Sequence, residues 1–199
     1  MKFTRKLAAA AAGAAMLAAL TACSAGPDLP MELTVGDTVV TLGQTTMQDL
    51  IDLGYEPNLE MVPDTAEVGD EFITFDYSMS RGAGDQFWVG VCMPWDGDTD
   101  ISQETTDSAT QGIVRTVTVT LGSVEDVGAT YNGMDVNDIS FQYAEEEWGA
   151  EVVGESRLRY EVEARDGLLS LEAEFTGDDT MYRFAVRMYQ DVFDKMQAN

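Results

Sequence analysis

Along most of its length the chain alternates apolar and polar residues with a period of two, the pattern of strands that bury one face. Ile73, Phe75, Tyr77 and Met79 alternate with Thr74, Asp76 and Ser78. Phe87, Val89, Val91 and Met93 form a second set, and Val117, Val119 and Leu121 alternate with Thr116, Thr118 and Thr120 in a third. Ahead of these, Leu33-Thr34-Val35 and Thr38-Val39-Val40-Thr41-Leu42 flank Gly36-Asp37, which predicts a hairpin closed by a two-residue turn. Between hairpin and strands the period changes. Thr45 or Thr46 can cap a short helix with Gln48 or Asp49 three residues on; Met47, Leu50 and Ile51 then share a face, and Gly54 ends it.

The same order recurs downstream. Asp135 can cap a helix that carries Val136, Ile139 and Tyr143 on one face and ends at Trp148 and Gly149. Leu158, Tyr160, Val162 and Ala164 then alternate with Arg157, Arg159, Glu161 and Glu163. Leu169, Leu171, Ala173 and Phe175 alternate with Ser170, Glu172 and Glu174, and Tyr182, Phe184, Val186 and Met188 complete the set. Turn composition agrees, Asp96-Gly97-Asp98-Thr99 matching Gly177-Asp178-Asp179-Thr180. Clean alternation means antiparallel sheets with one buried face, which a single short helix per half can cover. The expected fold is α+β: two tandem α-β-β-β repeats with antiparallel sheets, each packed on a short helix. The first, residues 32–126, includes the N-terminal hairpin; the second spans 127–199, and the two sheets lie side by side as one surface.

The first residues belong to a different pattern. Lys2, Arg5 and Lys6 precede an apolar run from Leu7 to Leu20, and small residues follow, as in a secretory signal. Leu20-Thr21-Ala22-Cys23 resembles the lipobox of bacterial lipoproteins. That resemblance implies removal of residues 1–22 as a signal peptide and lipid on Cys23, with residues 23–31 as a tether. Ordinary cleavage after Ala22 and an uncleaved helix, short for a span, are the alternatives. The expected location is the cell envelope, with the body anchored through Cys23 on the extracytoplasmic side of a membrane.

Charge and composition narrow the chemistry. The 199 residues hold 11 basic and 36 acidic side chains and no histidine, a net charge of −25. Without Lys2, Arg5 and Lys6, eight of the 11 bases remain against 36 acids, and the charge deepens to −28. Such a surface repels phosphate backbones and anionic headgroups, which excludes nucleic acid as a partner. Membrane attachment then falls to acyl chains, at about 0.8 kcal/mol per buried CH₂. The lack of histidine excludes Ser-His-Asp, Cys-His and His-liganded zinc chemistry. With Cys23 lipidated, Cys92 is the remaining thiol, so no intramolecular disulfide forms. Between Val91 and Met93 it fits a small apolar strand residue better than a reactive thiol, since no cationic cluster adjoins it in sequence.

The tandem order resembles that of the β-lactamase-inhibitor-protein-like lipoproteins. Their recurrent signature is a glycine, a Thr or Ser two residues on, an amphipathic turn and a glycine after the helix. Gly43, Thr45, Leu50 and Gly54 match it, with the apolar residue one place late; Gly133, Asp135, Val136 and Gly149 match it with a longer helix. The resemblance implies a non-enzymatic module that binds another protein with an exposed sheet face.

Other residues offer candidate chemistry. Asp96, Asp98, Asp100, Glu104 and Asp107 have the spacing of a calcium loop, in which alternate oxygens point at one ion. Ile101 stands where that loop needs glycine and Gln103 is polar, so a solvated acidic hairpin tip is the competing reading. The cofactor expectation is none beyond weak calcium. Hydrolysis by a carboxylate pair needs no histidine, but 36 acids offer too many pairs to single one out. Glu172 and Glu174 share a face with Arg157, Arg159, Arg183 and Arg187, where each cross-strand charge pair contributes about 0.2–1 kcal/mol. Phe72 and Trp88 fall on the phase opposite the core, and Trp95 sits beside the acidic tip. Exposed aromatics on a sheet face anchor binding surfaces, whereas cover from other elements or a one-residue register error would bury them. The candidate binding residues are therefore Phe72, Trp88, Trp95, Arg159 and Arg183. Together these features lead to a lipid-anchored, non-catalytic binding module with a protein partner in the envelope. The competing expectations are an envelope hydrolase using two carboxylates and a calcium-responsive surface protein.

Overall fold

A computed structural model describes residues 27–58, 67–68, 72–82, 85–94, 110–121, 128–153, 158–164, 169–176, 181–189 and 193. Cys23, Trp95, the acidic window from Asp96 to Asp107 and the 177–180 tip lie outside these.

The alternating segments are strands. β1 (Glu32–Val35) and β2 (Thr38–Thr41) make the predicted hairpin, with Gly36 at φ 59° in its turn. α1 (Met47–Asp52) follows. It begins with a reciprocal cap: Thr46 Oγ1 accepts the Asp49 N–H at 3.1 Å, and the Asp49 carboxylate accepts the Thr46 N–H at 2.9 Å. Gly54, at φ 93°, lets the chain leave the helix. An edge strand β3 (Glu56–Asn58) and the short β4 (Glu67–Val68) precede the long strands β5 (Phe72–Arg81), β6 (Asp85–Pro94) and β7 (Ile113–Thr120).

The second half differs from expectation at its start. β8 (Ala129–Tyr131) and β9 (Met134–Asp135) form a hairpin on Asn132-Gly133, at φ 52° and 77°, the left-handed pair of a type I′ turn. Asp135 then caps only a 3₁₀ turn, Val136–Asp138, because its carboxylate accepts the N–H of Asn137 two residues on. Ser140 caps the true helix α2 (Phe141–Trp148), and Gly149, left-handed at φ 67°, ends it. The single helix expected from Asp135 is thus a 3₁₀ turn and a separate α-helix. A short edge strand β10 (Glu151–Val152) leads into β11 (Leu158–Ala164), β12 (Leu169–Phe175) and β13 (Met181–Met188).

Among the described residues these strands form two antiparallel sheets. The larger runs β10-β11-β12-β13-β7-β6-β5-β3, with β4 also on β5, and the smaller runs β2-β1-β8-β9. The strand sets expected as two sheets are one, joined where β7 pairs with β13 from Thr116↔Arg187 to Thr120↔Arg183. The chain is an α+β protein dominated by antiparallel sheet. No described helix is long and apolar enough to cross a membrane.

One hydrophobic core lies between the larger sheet and a second layer made of the smaller sheet and the helices. Phe75, Phe87, Val117, Leu171 and Phe184 enter it from the larger sheet, and Leu33, Val40, Leu50, Ile139 and Trp148 from the other side. Each large side chain buried there contributes about 1.5–3 kcal/mol. Helices of six and eight residues are marginal alone, so this burial holds them in place. Leu29 and Met31, late in the stretch read as a tether, are buried in the same core, and the Tyr131 hydroxyl donates to the Pro30 carbonyl at 2.8 Å.

An exposed ion pair ties the β1–β2 turn to the end of β5. Arg81 donates to Asp37 at 2.5 Å, and its guanidinium lies 4.6 Å from the ring centre of Tyr55. The Arg81 hydrogen bond and charge hold the Asp37 carboxyl below its ordinary value of 3.8. A depressed carboxyl stabilises the fold above that ordinary value and loses the contribution as pH falls through the depressed one. Arg81→Met should return Asp37 to the ordinary range in an NMR pH titration. The melting-temperature gap between the two proteins should narrow on acidification. An Asp37 titration unchanged by the substitution contradicts the assignment.

Candidate functional site

The second face of the larger sheet is polar, and the ladder sets its positions in rows. Asp76, Gly90, Thr116, Arg187 and Ser170 are cross-strand neighbours in turn. Ser78, Trp88, Thr118, Ala185 and Glu172 form the next row. Thr120, Arg183, Glu174 and Arg159 follow. Among the described residues no second sheet or helix is laid on this face, and Phe193 packs against Phe72 at its end; Thr74, Ser78, Thr116, Thr118, Ser170 and Glu172 on it are buried.

A groove of about 170 Å³ opens in the middle of this face. Trp88 and Asp76 bound it on one side and Arg183 and Arg187 on the other, with Thr116, Thr118 and Thr120 of β7 between them. Trp88 is half-buried. Gly90 makes the close approach on the Asp76 side possible: a Cβ there would stand 3.0 Å from both Asp76 Oδ1 and Thr116 Cβ.

The arginines are held by carboxylates from the next strand. Arg183 Nη1 lies 2.9 Å from Glu174 and 3.6 Å from Glu172, and the Tyr182 hydroxyl also donates to Glu174. Arg187 is less well satisfied. Its Nη1 is 3.9 Å from Glu172, and its buried Nε meets no acceptor among the described residues. Glu172 is 5% exposed, so these charges act on one another through little solvent.

Beyond one end of the groove the sheet carries a β-bulge. Thr116 pairs with Gly90 but Val114 pairs with Val91, so Arg115 is the extra residue. Its side chain is buried, 1% exposed, on the Thr74 side of the sheet, with Nε donating to Thr74 Oγ1 at 3.2 Å and Nη1 to the Met188 carbonyl at 2.8 Å. Cys92, the cross-strand partner of Thr74, is a buried thiol.

Of the residues singled out in the sequence, Trp88 and Arg183 meet in the groove. Arg159 stands at the register position opposite Glu174, which is itself opposite Arg183. Phe72 lies apart: its ring packs edge-on against Phe193 at 5.3 Å, covered by the chain beyond β13. Trp95, Asp96, Asp98, Asp100, Glu104 and Asp107 lie outside the described residues. Among the described residues no group of three Cys, Asp or Glu is placed to hold a metal ion. Arg187, Asp76 and the three threonines were not singled out as binding residues. Their signal is the outward phase of the same alternation that located Trp88.

Gly90→Ala should cost about 1–3 kcal/mol, because its methyl must push Thr116 or Asp76 aside. At Gly128 an added methyl meets nothing within 4 Å, so Gly128→Ala should stay within about 0.5 kcal/mol of the parent. Urea denaturation of both variants measures the contrast, and equal losses contradict it.

Compared with protein-family models, curated proteins and solved structures, the chain matches none.

Proposed function

We propose that the chain is a lipid-anchored, extracytoplasmic binding module of two αβββ repeats that receives an envelope protein on its open sheet face. The observation that carries this reading is the groove itself: a concave, hydrogen-bonding surface with an aromatic wall, on a sheet face that no second sheet or helix covers among the described residues.

Strand order supports the repeats. Outward from the β7–β13 pair, the larger sheet runs β6, β5, β3 on one side and β12, β11, β10 on the other. Each half also opens with a hairpin, and the two hairpins pair antiparallel through β1 and β8. Both seams therefore have the antiparallel geometry that a two-fold relation between halves requires.

The anchor rests on Lys2, Arg5 and Lys6, the apolar run and Leu20-Thr21-Ala22-Cys23. A body of charge −28 gains nothing from anionic headgroups, so attachment depends on the acyl chains alone. Cys23→Ala should leave unprocessed precursor or move the protein out of the membrane fraction. Unchanged fractionation and unchanged mass refute lipidation at Cys23. Capture of an envelope protein by cross-linking, abolished by Arg183→Glu at the groove wall, tests the binding face; no captured protein, or capture indifferent to that charge reversal, counts against it.

A further inference from the structure

We infer that the groove takes a neutral sugar ring, stacked on Trp88 and hydrogen-bonded by the hydroxyl and guanidinium groups around it. This rests on the open sheet face being a binding surface, and it names the chemistry of one ligand there.

Charge selects the ligand class. An anion would have to compete with Glu174 and Glu172, already 2.9 Å and 3.6 Å from Arg183, and would approach a chain of net charge −25. A cation would meet two guanidinium groups at the groove wall. A neutral ligand suffers neither penalty: it leaves the Arg–Glu contacts intact and does not feel the field of the whole protein.

The hydrogen-bonding groups fit a polyol. Thr116, Thr118 and Thr120 carry hydroxyls that both donate and accept, Asp76 accepts, and Arg187, whose nearest carboxylate is 3.9 Å away, has donors to offer. Each hydroxyl of a sugar likewise donates and accepts, so it needs such a mixture. The C–H face of the ring needs an aromatic plane, and Trp88 is the aromatic residue at the wall. Size agrees as well. A groove of about 170 Å³ is smaller than the about 300–1,000 Å³ of pockets for larger ligands, so one ring enters and the rest of a glycan lies outside.

The test is a glycan array followed by calorimetry on the full chain purified in detergent. Probes are neutral hexose and N-acetylhexosamine oligosaccharides, free and on glycopeptides, beside sialylated and phosphorylated ones. At least one neutral oligosaccharide should bind saturably, with affinity changing less than about twofold between about 50 and 500 mM salt. Trp88→Ala should weaken binding at least about tenfold. Thr120→Arg, which adds a long side chain at an exposed position on the rim, should do the same, and circular dichroism with melting temperature separates lost ligand from lost fold. Preference between free and peptide-borne sugar tells a wall glycan from a glycoprotein. The sugar assignment is overturned by no neutral binding at millimolar probe, by binding confined to charged glycans with a steep salt dependence, or by binding indifferent to both variants. Envelope-protein capture lost in Thr120→Arg without any neutral glycan binding leaves the binding module standing and removes the sugar; loss of neither removes both.

Discussion

The pairing of β7 with β13 is the constraint on which the rest of the structure depends. Five register positions, from Thr116↔Arg187 to Thr120↔Arg183, join the strands of the two halves into one sheet. Without them each half would present an open row of backbone donors and acceptors at its inner edge, the usual route to wrong pairing and aggregation. The same five positions build both faces. Val117↔Val186 and Val119↔Phe184 enter the core, while Thr116, Thr120, Arg183 and Arg187 stand around the groove. Fold and site therefore share one ladder, and a one-residue slip would exchange their side chains completely.

Much of the polar face is buried although, among the described residues, no second sheet or helix is laid on it. Short hydroxyl-bearing residues, Gly90 and Glu172 are buried on it, and Trp88, Arg183, Arg187 and Glu174 are half-buried beside them. Arg115, the extra residue of the bulge, takes this furthest: its guanidinium is buried beside Thr74, where a hydroxyl and a main-chain carbonyl receive it. This gives the chain a sheet packed by hydrophobic side chains on one side and carrying a hydrogen-bonding, grooved surface on the other.

Most of the strand framework was legible because period-two alternation over several residues has no helical counterpart; β5, β6 and β12 follow it directly, and β7 does so from Thr116 onward, past its bulge. α1 was legible from Thr46, Asp49 and Gly54, which act locally. The β8–β9 hairpin was missed although Asn132-Gly133 is a strong turn signal, because three- and two-residue strands carry too few positions to alternate. Asp135 misled for a related reason, since its carboxylate closes a turn two residues on and the helix waits for Ser140. At the site, Trp88 and Arg183 could be named from phase alone. That Phe72 shares their phase but is covered by Phe193 depends on where a distant segment returns, which no local pattern encodes.

Leu29 and Met31 belong to the folded body, on the side of the core that holds the smaller sheet, where the Met31 carbonyl accepts the Leu42 N–H at 2.8 Å. Under the proposed lipidation, six peptide units separate the acylated Cys23 from Leu29, a leash of about 20 Å at full stretch. That is only two to three times the about 8 Å over which charges are felt at physiological ionic strength, so the acidic body has little room to tumble near its membrane. Leu29, where such a leash would join the body, lies in the layer opposite the groove. The open face would thus be aimed outward, and the protein would meet what lies beyond its own bilayer before anything embedded in it.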